Sequence, residues 1–144
     1  STTLDTIEIK LSDDLTLIDT PGLLDEGNIV NLVDGNSLKR IIPSKEIKPI
    51  TYQVKTKQYI LLDKYAYLEL EESTNLTLFV SDKLKIERLF TYRGNKKLIK
   101  HTLSVKDNQD IVIKGLCFIK ISKPAKINVY TLDGVSVYLR DTFI

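Results

Sequence analysis

Asp19-Thr20-Pro21-Gly22 is the string whose residue types and spacing could do chemistry. It follows at once on Leu15-Thr16-Leu17-Ile18, an apolar run with strand character. A carboxylate at the end of a buried strand can hold Mg²⁺ through a water, because Mg²⁺ keeps several of its waters. A glycine three residues on lets a backbone N–H approach a phosphate with no Cβ in the way. This DxxG arrangement is one by which nucleotide-hydrolysing domains sense a γ-phosphate; it is also an ordinary turn. Upstream lies Ser1-Thr2-Thr3-Leu4-Asp5. Alone, such hydroxyls read as a helix cap or a chain terminus. One strand and one hairpin before DTPG, they read as a source of a Mg²⁺-coordinating oxygen.

A second kind of chemistry is electrostatic. Residues 83–126 carry twelve basic side chains against three acidic ones, and Phe90, Tyr92 and Phe118 are interleaved with them. Cations beside aromatic rings are the ingredients for RNA, through phosphate contacts and base stacking. The candidate footprint is Lys83, Lys85, Arg88, Arg93, Lys96, Lys97 and Lys100. The same composition also describes a solvated, lysine-rich surface. Residues 1–37, by contrast, hold eight acidic side chains and one basic, so the two ends of the chain are suited to different duties.

Other chemistries have little to work with. Cys117 is the only cysteine and His101 the only histidine, which leaves no disulfide within the chain and no cysteine-rich zinc site. Cys117 sits in Leu116-Cys117-Phe118-Ile119 and reads as a buried, inert thiol. No paired acid and base or nucleophile constellation emerges, so an independent enzyme is the weakest reading.

The elements that must position these residues follow from periodicity. Ile7–Leu11 alternates apolar and polar and, with Leu15–Asp19, predicts a hairpin around Ser12-Asp13-Asp14. Ile29, Leu32 and Val33 have helical spacing, and Asp34-Gly35-Asn36 is expected to stop that element. Ser37–Ile42 reads as a short helical or turn segment. Past Pro49 come short β-branched or aromatic runs: 51–54, 58–62, 66–70, 76–80, 85–90, 111–113, 116–121, 127–131 and 135–140. These predict a sandwich or barrel, with Asp133-Gly134 as a hairpin turn. Thr91–Lys100 is basic and contains a glycine, the mark of an exposed loop or a short linking helix.

The expected organisation is therefore two parts, 1–49 and 50–144, with the boundary near Pro43–Pro49. Two strands and a helix rarely fold alone, so 1–49 reads as a piece of something larger. Ser1 in first place and no methionine among the 144 residues likewise read as a fragment. No apolar run approaches the roughly 20 residues that span a bilayer, and no signal-peptide pattern opens the chain. A reducing cytoplasmic setting and no membrane partner are expected.

Beyond these patterns, TTLDTIEI…LIDTPG resembles the switch I–switch II stretch of YqeH-type circularly permuted GTPases. The resemblance continues through Leu38-Lys39-Arg40-Ile41-Ile42-Pro43-Ser44-Lys45-Glu46-Ile47-Lys48-Pro49. It returns at Leu103-Ser104-Val105-Lys106, at Asp110-Ile111-Val112-Ile113 with Gly115, and at Gly134-Val135-Ser136-Val137-Tyr138-Leu139-Arg140. It implies a mainly β chain: a remnant of a Ras-like α/β GTPase domain (hairpin plus helix), then a β-rich sandwich- or barrel-like C-terminal domain. In such proteins the guanine motif and P-loop precede the switches. Carried over, Thr3 would be the switch I Mg²⁺ ligand, Asp19 the water-mediated Mg²⁺ partner and Gly22 the γ-phosphate N–H donor. Leu23 stands where Ras-like proteins keep a water-orienting glutamine, and leucine has no hydrogen-bonding group, which implies low intrinsic turnover.

The departures matter as much. No GxxxxGK[ST] occurs, and Asn95-Lys96-Lys97-Leu98 lacks the aspartate of NKxD and sits in the wrong place. The family's zinc module has no counterpart, and a longer helical stretch expected between Phe90 and Leu103 is missing or shortened. The resemblance implies that Mg²⁺ and GTP belong to the full-length protein and that this segment alone holds neither. It also implies work in assembly of the small ribosomal subunit, on rRNA or ribosomal proteins. The competing reading is a stand-alone β-rich interaction module in which DTPG is only a turn.

Overall fold

The computed structural model describes residues 8–12, 15–18, 27–42 and 47–141. Two strands open it, β1 (Glu8–Ser12) and β2 (Leu15–Ile18), paired antiparallel as the alternation predicts. Then come a 3₁₀ turn (Ile29–Asn31) and helix α1 (Gly35–Ile41). Ten further strands follow: β3 (Lys48–Val54), β4 (Gln58–Leu62), β5 (Ala66–Leu70), β6 (Thr74–Val80), β7 (Ile86–Leu89), β8 (Leu98–Val105), β9 (Gln109–Ile113), β10 (Cys117–Ile121), β11 (Ala125–Leu132) and β12 (Val137–Asp141).

These ten strands make two five-stranded sheets, in the orders β12-β9-β10-β6-β3 and β7-β4-β5-β11-β8, with every pairing antiparallel. Alternate residues of both sheets point inward and meet in one core: Ile60, Leu62, Leu68 and Leu70 from one, Leu76, Leu78, Ile111, Ile113, Ile119 and Ile121 from the other. The chain is mainly β, as expected, and its ten-stranded part is a sandwich.

The segment before β3 is stitched to this sandwich. Ile29 and Ile41 are fully buried in the same core. The Gly27 carbonyl accepts from Ser136 N (2.9 Å), and Ile29 N donates to the Lys114 carbonyl (2.9 Å). Gly27 to Ile29 thus lie against two turns, the one between β9 and β10 and the one between β11 and β12. On the far side of α1, Arg40 reaches the β4–β5 turn: Nη2 donates to Tyr65 Oη at 2.9 Å, and Nη1 lies 3.8 Å from Asp63 Oδ2.

Three local expectations change. Asp34-Gly35-Asn36 starts a helix rather than only ending one. The Asp34 carboxylate accepts from Ser37 N at 2.8 Å and so caps α1, and that bond holds its pKa below the usual value. Asp133-Gly134 is a tight turn with Gly134 at φ +92°, but it carries the chain from one sheet to the other and makes no hairpin. Leu98–Val105, expected to be partly loop or helix, is an eight-residue strand. Its basic, mixed composition hides an alternation in which only one side of each residue pair meets the core.

Cys117 is buried on the core side of β10, and burial pushes its thiol up to about 12, which leaves it protonated and inert. Among the described residues, no helix is long and apolar enough to cross a membrane.

Candidate functional site: a strapped tyrosine face

Strands β7 and β8 lie at opposite edges of their sheet, so the link between them must cross all five strands. Four inter-strand gaps of about 4.8 Å come to roughly 19 Å. The eight residues Phe90–Lys97 reach about 26 Å when extended, enough to make that crossing. They form a strap over the outer face of the sheet. No helix fits such a path, because a helix rises only about 1.5 Å per residue.

The strap is held by tyrosines that the register lines up. Tyr67 of β5 pairs with Leu61 of β4 and with Tyr130 of β11, and all face outward, away from the core. Tyr67 and Tyr130 stack at 4.3 Å between centroids, nearly parallel. Tyr92 of the strap meets Tyr67 edge-on at 4.9 Å and Tyr59 of β4 at 5.9 Å. Gly94 passes so near the Tyr67 hydroxyl that a Cβ there would lie 3.1 Å from it, and its φ of +83° suits glycine. Burial raises the pKa values of Tyr67 and Tyr130. Glu69 completes the face, accepting from Asn128 Nδ2 at 2.8 Å, while Asn128 Oδ1 accepts from Thr102 Oγ1 at 2.9 Å.

The seven basic residues of the predicted footprint divide over this frame. Arg93, Lys96 and Lys97 ride on the strap and Lys100 on β8; all four are exposed, and Lys100 stands opposite Tyr130 in register. Lys96 and Lys97 lead directly into β8 and Lys100, whereas Arg93 sits between Tyr92 and Gly94, which lie against Tyr67 of the central strand β5. Lys83, Lys85 and Arg88 lie at the other edge, in and before β7. Lys85 is engaged by Glu87 at 3.4 Å. Arg88 spans the gap between the two sheets. Its Nε donates to Gln58 Oε1 and its Nη2 to the Gln53 carbonyl at 2.8 Å, with the guanidinium over the rings of Tyr52 and Phe90. Arg88 is therefore a clamp between β7 and β3.

Phe118, grouped by sequence with Phe90 and Tyr92, lies on the other sheet. There it stacks on Phe79 at 4.6 Å under the Arg140 guanidinium. That pair lines a groove of about 280 Å³ with Ile41, Ile42, Ile47 and Val112. Tyr59, Tyr67 and Tyr130 were missed as a group. Their spacing says that each faces away from the core, but not that three strands bring them together. Thr3, Asp19 and Gly22 lie outside the described residues. Among the described residues, no cluster of three or more His, Cys, Asp or Glu could hold a metal ion.

No family model matches the chain. It is similar to a curated protein of Bacillus subtilis (strain 168) named "Uncharacterized protein YqeH". The two are 31% identical over 170 aligned positions, which take in 99% of this chain and 46% of that protein. The chain thus spans about half the length of the curated relative it matches.

Proposed function

We propose that this chain is the C-terminal part of a GTP-binding and GTP-hydrolysing protein that acts in assembly of the small ribosomal subunit. In this reading Thr3, Asp19 and Gly22 sense Mg-GTP held by the rest of the protein. The sandwich docks RNA or a ribosomal protein, with Arg93, Lys96, Lys97 and Lys100 as its exposed cations. What supports it is the similarity to YqeH along nearly the whole chain, on top of a DxxG string at the end of an apolar run. One structural observation gives the reading a physical route. Only four residues separate Gly22 from Gly27, where the chain is bonded to two turns of the sandwich. In this reading a change at DTPG on hydrolysis is only four residues of chain away from those turns.

The test uses the full-length protein. Asp19→Ala should abolish Mg²⁺-dependent GTP hydrolysis, and crosslinking in cells should recover small-subunit rRNA. Unchanged turnover in the variant removes Asp19 from the site. Recovery of no ribosomal RNA or protein sinks the assembly role.

A further inference from the structure

A two-sheet sandwich has four edge strands, and an open edge is a template for pairing that proteins usually blunt. Three of the four are blunted here. β3 contains Pro49, and Arg88 donates to its Gln53 carbonyl. β7 is only four residues long. β12 has five residues, and two of them, Arg140 and Asp141, are charged. β8 is different. It runs for eight residues without proline, in unbroken register with β11 from Leu98↔Leu132 to Val105↔Ala125. Among the described residues, no strand pairs with its other side.

The side chains along that edge say what would fit. Ile99, His101 and Leu103 stand opposite Thr131, Val129 and Ile127, which are fully buried, and so face the core side. Yet Ile99 is 45% exposed, and His101 and Leu103 are only half-buried, as befits a strand with no hydrogen-bonded neighbour on that side. On the outer side Lys100 is exposed, with Lys126 of β11 exposed opposite Ser104. Residues 96–107 hold four lysines against one aspartate. A second β8 would set lysines against lysines, which disfavours self-pairing.

We propose that the open side of β8 takes an extended, acidic segment of a protein partner as a sixth strand of its sheet. Main-chain hydrogen bonds supply the affinity. Alternation in the partner sets acidic residues beside Lys100, with Lys126 one strand further in across the short Ser104, and apolar ones beside Ile99, His101 and Leu103.

The probe is the octapeptide acetyl-VEVEVEVE-amide, titrated into the whole chain and followed by amide NMR shifts and hydrogen exchange. Shifts and slowed exchange should concentrate on residues 98–105. N-methylation of alternate peptide amides should weaken binding by about ten-fold or more, since several backbone bonds are lost at once. The Val-Lys counterpart should bind more weakly still, and Lys100→Glu with Lys126→Glu should invert that preference. Both lysines are exposed, so the variant's amide spectrum should otherwise match the parent. Equal binding of the N-methylated peptide, or shifts centred elsewhere, overturns the proposal. So does no saturation by about 1 mM, or a uridine oligonucleotide that shifts the same β8 amides with higher affinity.

Discussion

Gly115→Ala tests whether the segment before β3 is truly fastened to the sandwich. Gly115 sits at φ +85°, and a Cβ there would fall 1.9 Å from Asn28 Oδ1 and 2.7 Å from its Cγ. Asn28 has nowhere to go. It is 3% exposed, its Oδ1 accepts from Val30 N at 3.0 Å, and its neighbour Ile29 is bonded to Lys114. The left-handed backbone costs alanine about 1 kcal/mol. Displacing the Asn28 amide breaks one hydrogen bond and strands a buried polar group, another ~2 kcal/mol. The total of about 3 kcal/mol corresponds to a fall in Tm of roughly 9 °C for a chain of this size. The chain has no tryptophan, so urea unfolding is best followed by circular dichroism or tyrosine fluorescence. Gly35→Ala is the control, since nothing lies within 4 Å of its Cβ position, and it should cost nothing. Asn28→Ala combined with Gly115→Ala should cost clearly less than the sum of the two, because the clash is then gone. A Gly115→Ala variant within about 0.5 kcal/mol of the parent would refute the packing described here.

Three further outcomes follow from the same geometry. Arg88→Ala should lose about 1–2 kcal/mol of stability in urea, for the lost bonds to Gln58 and Gln53 and the lost ring contacts. Arg88→Lys should not restore it, because an ammonium cannot make that fork; full rescue would remove the clamp. The Cys117 thiol should resist thiol reagents in the folded chain at pH 8 and react once the chain is unfolded. Its folded pKa of about 12 lies above the unfolded value of about 8.5, so its contribution is complete below that pH. Stability is then lost as pH rises from there toward 12, by up to about 1.4 kcal/mol per pH unit, and Cys117→Ala should flatten that slope. Tyr92→Ala should cost about 1–2 kcal/mol and speed amide exchange across residues 90–97, since two edge-on ring contacts hold the strap; unchanged exchange would show that the strap is held by other means.

Much of the fold was legible because an amphipathic strand writes its two faces into a period of two. Leu76–Val80 and Leu116–Ile121 read correctly for that reason, and Cys117 read as an inert core thiol. β8 did not read as a full strand. It is an edge, so its inward residues Ile99, His101 and Leu103 are only half-covered, and lysines dilute the pattern. Asp34-Gly35-Asn36 has the composition of a stop, and only the bond from Asp34 to Ser37 N shows that it is a start. For the candidate sites, DTPG can be picked out as a motif because its chemistry is local to four residues, which lie outside the described residues.

The basic footprint was legible only as a region, since seven cations in one stretch say nothing about which edge each will occupy. By itself, then, the sequence determined the chemistry available: one DxxG string, a cation-rich stretch with aromatics, a lone inert thiol, and a mainly β chain. The tertiary structure decided who stands beside whom. Hydrophobic alternation says that a residue faces a core without saying which of two sheets it belongs to. Only the strand order could set Phe118 apart from Tyr92, send the strap across five strands, turn Arg88 into a clamp and leave β8 open.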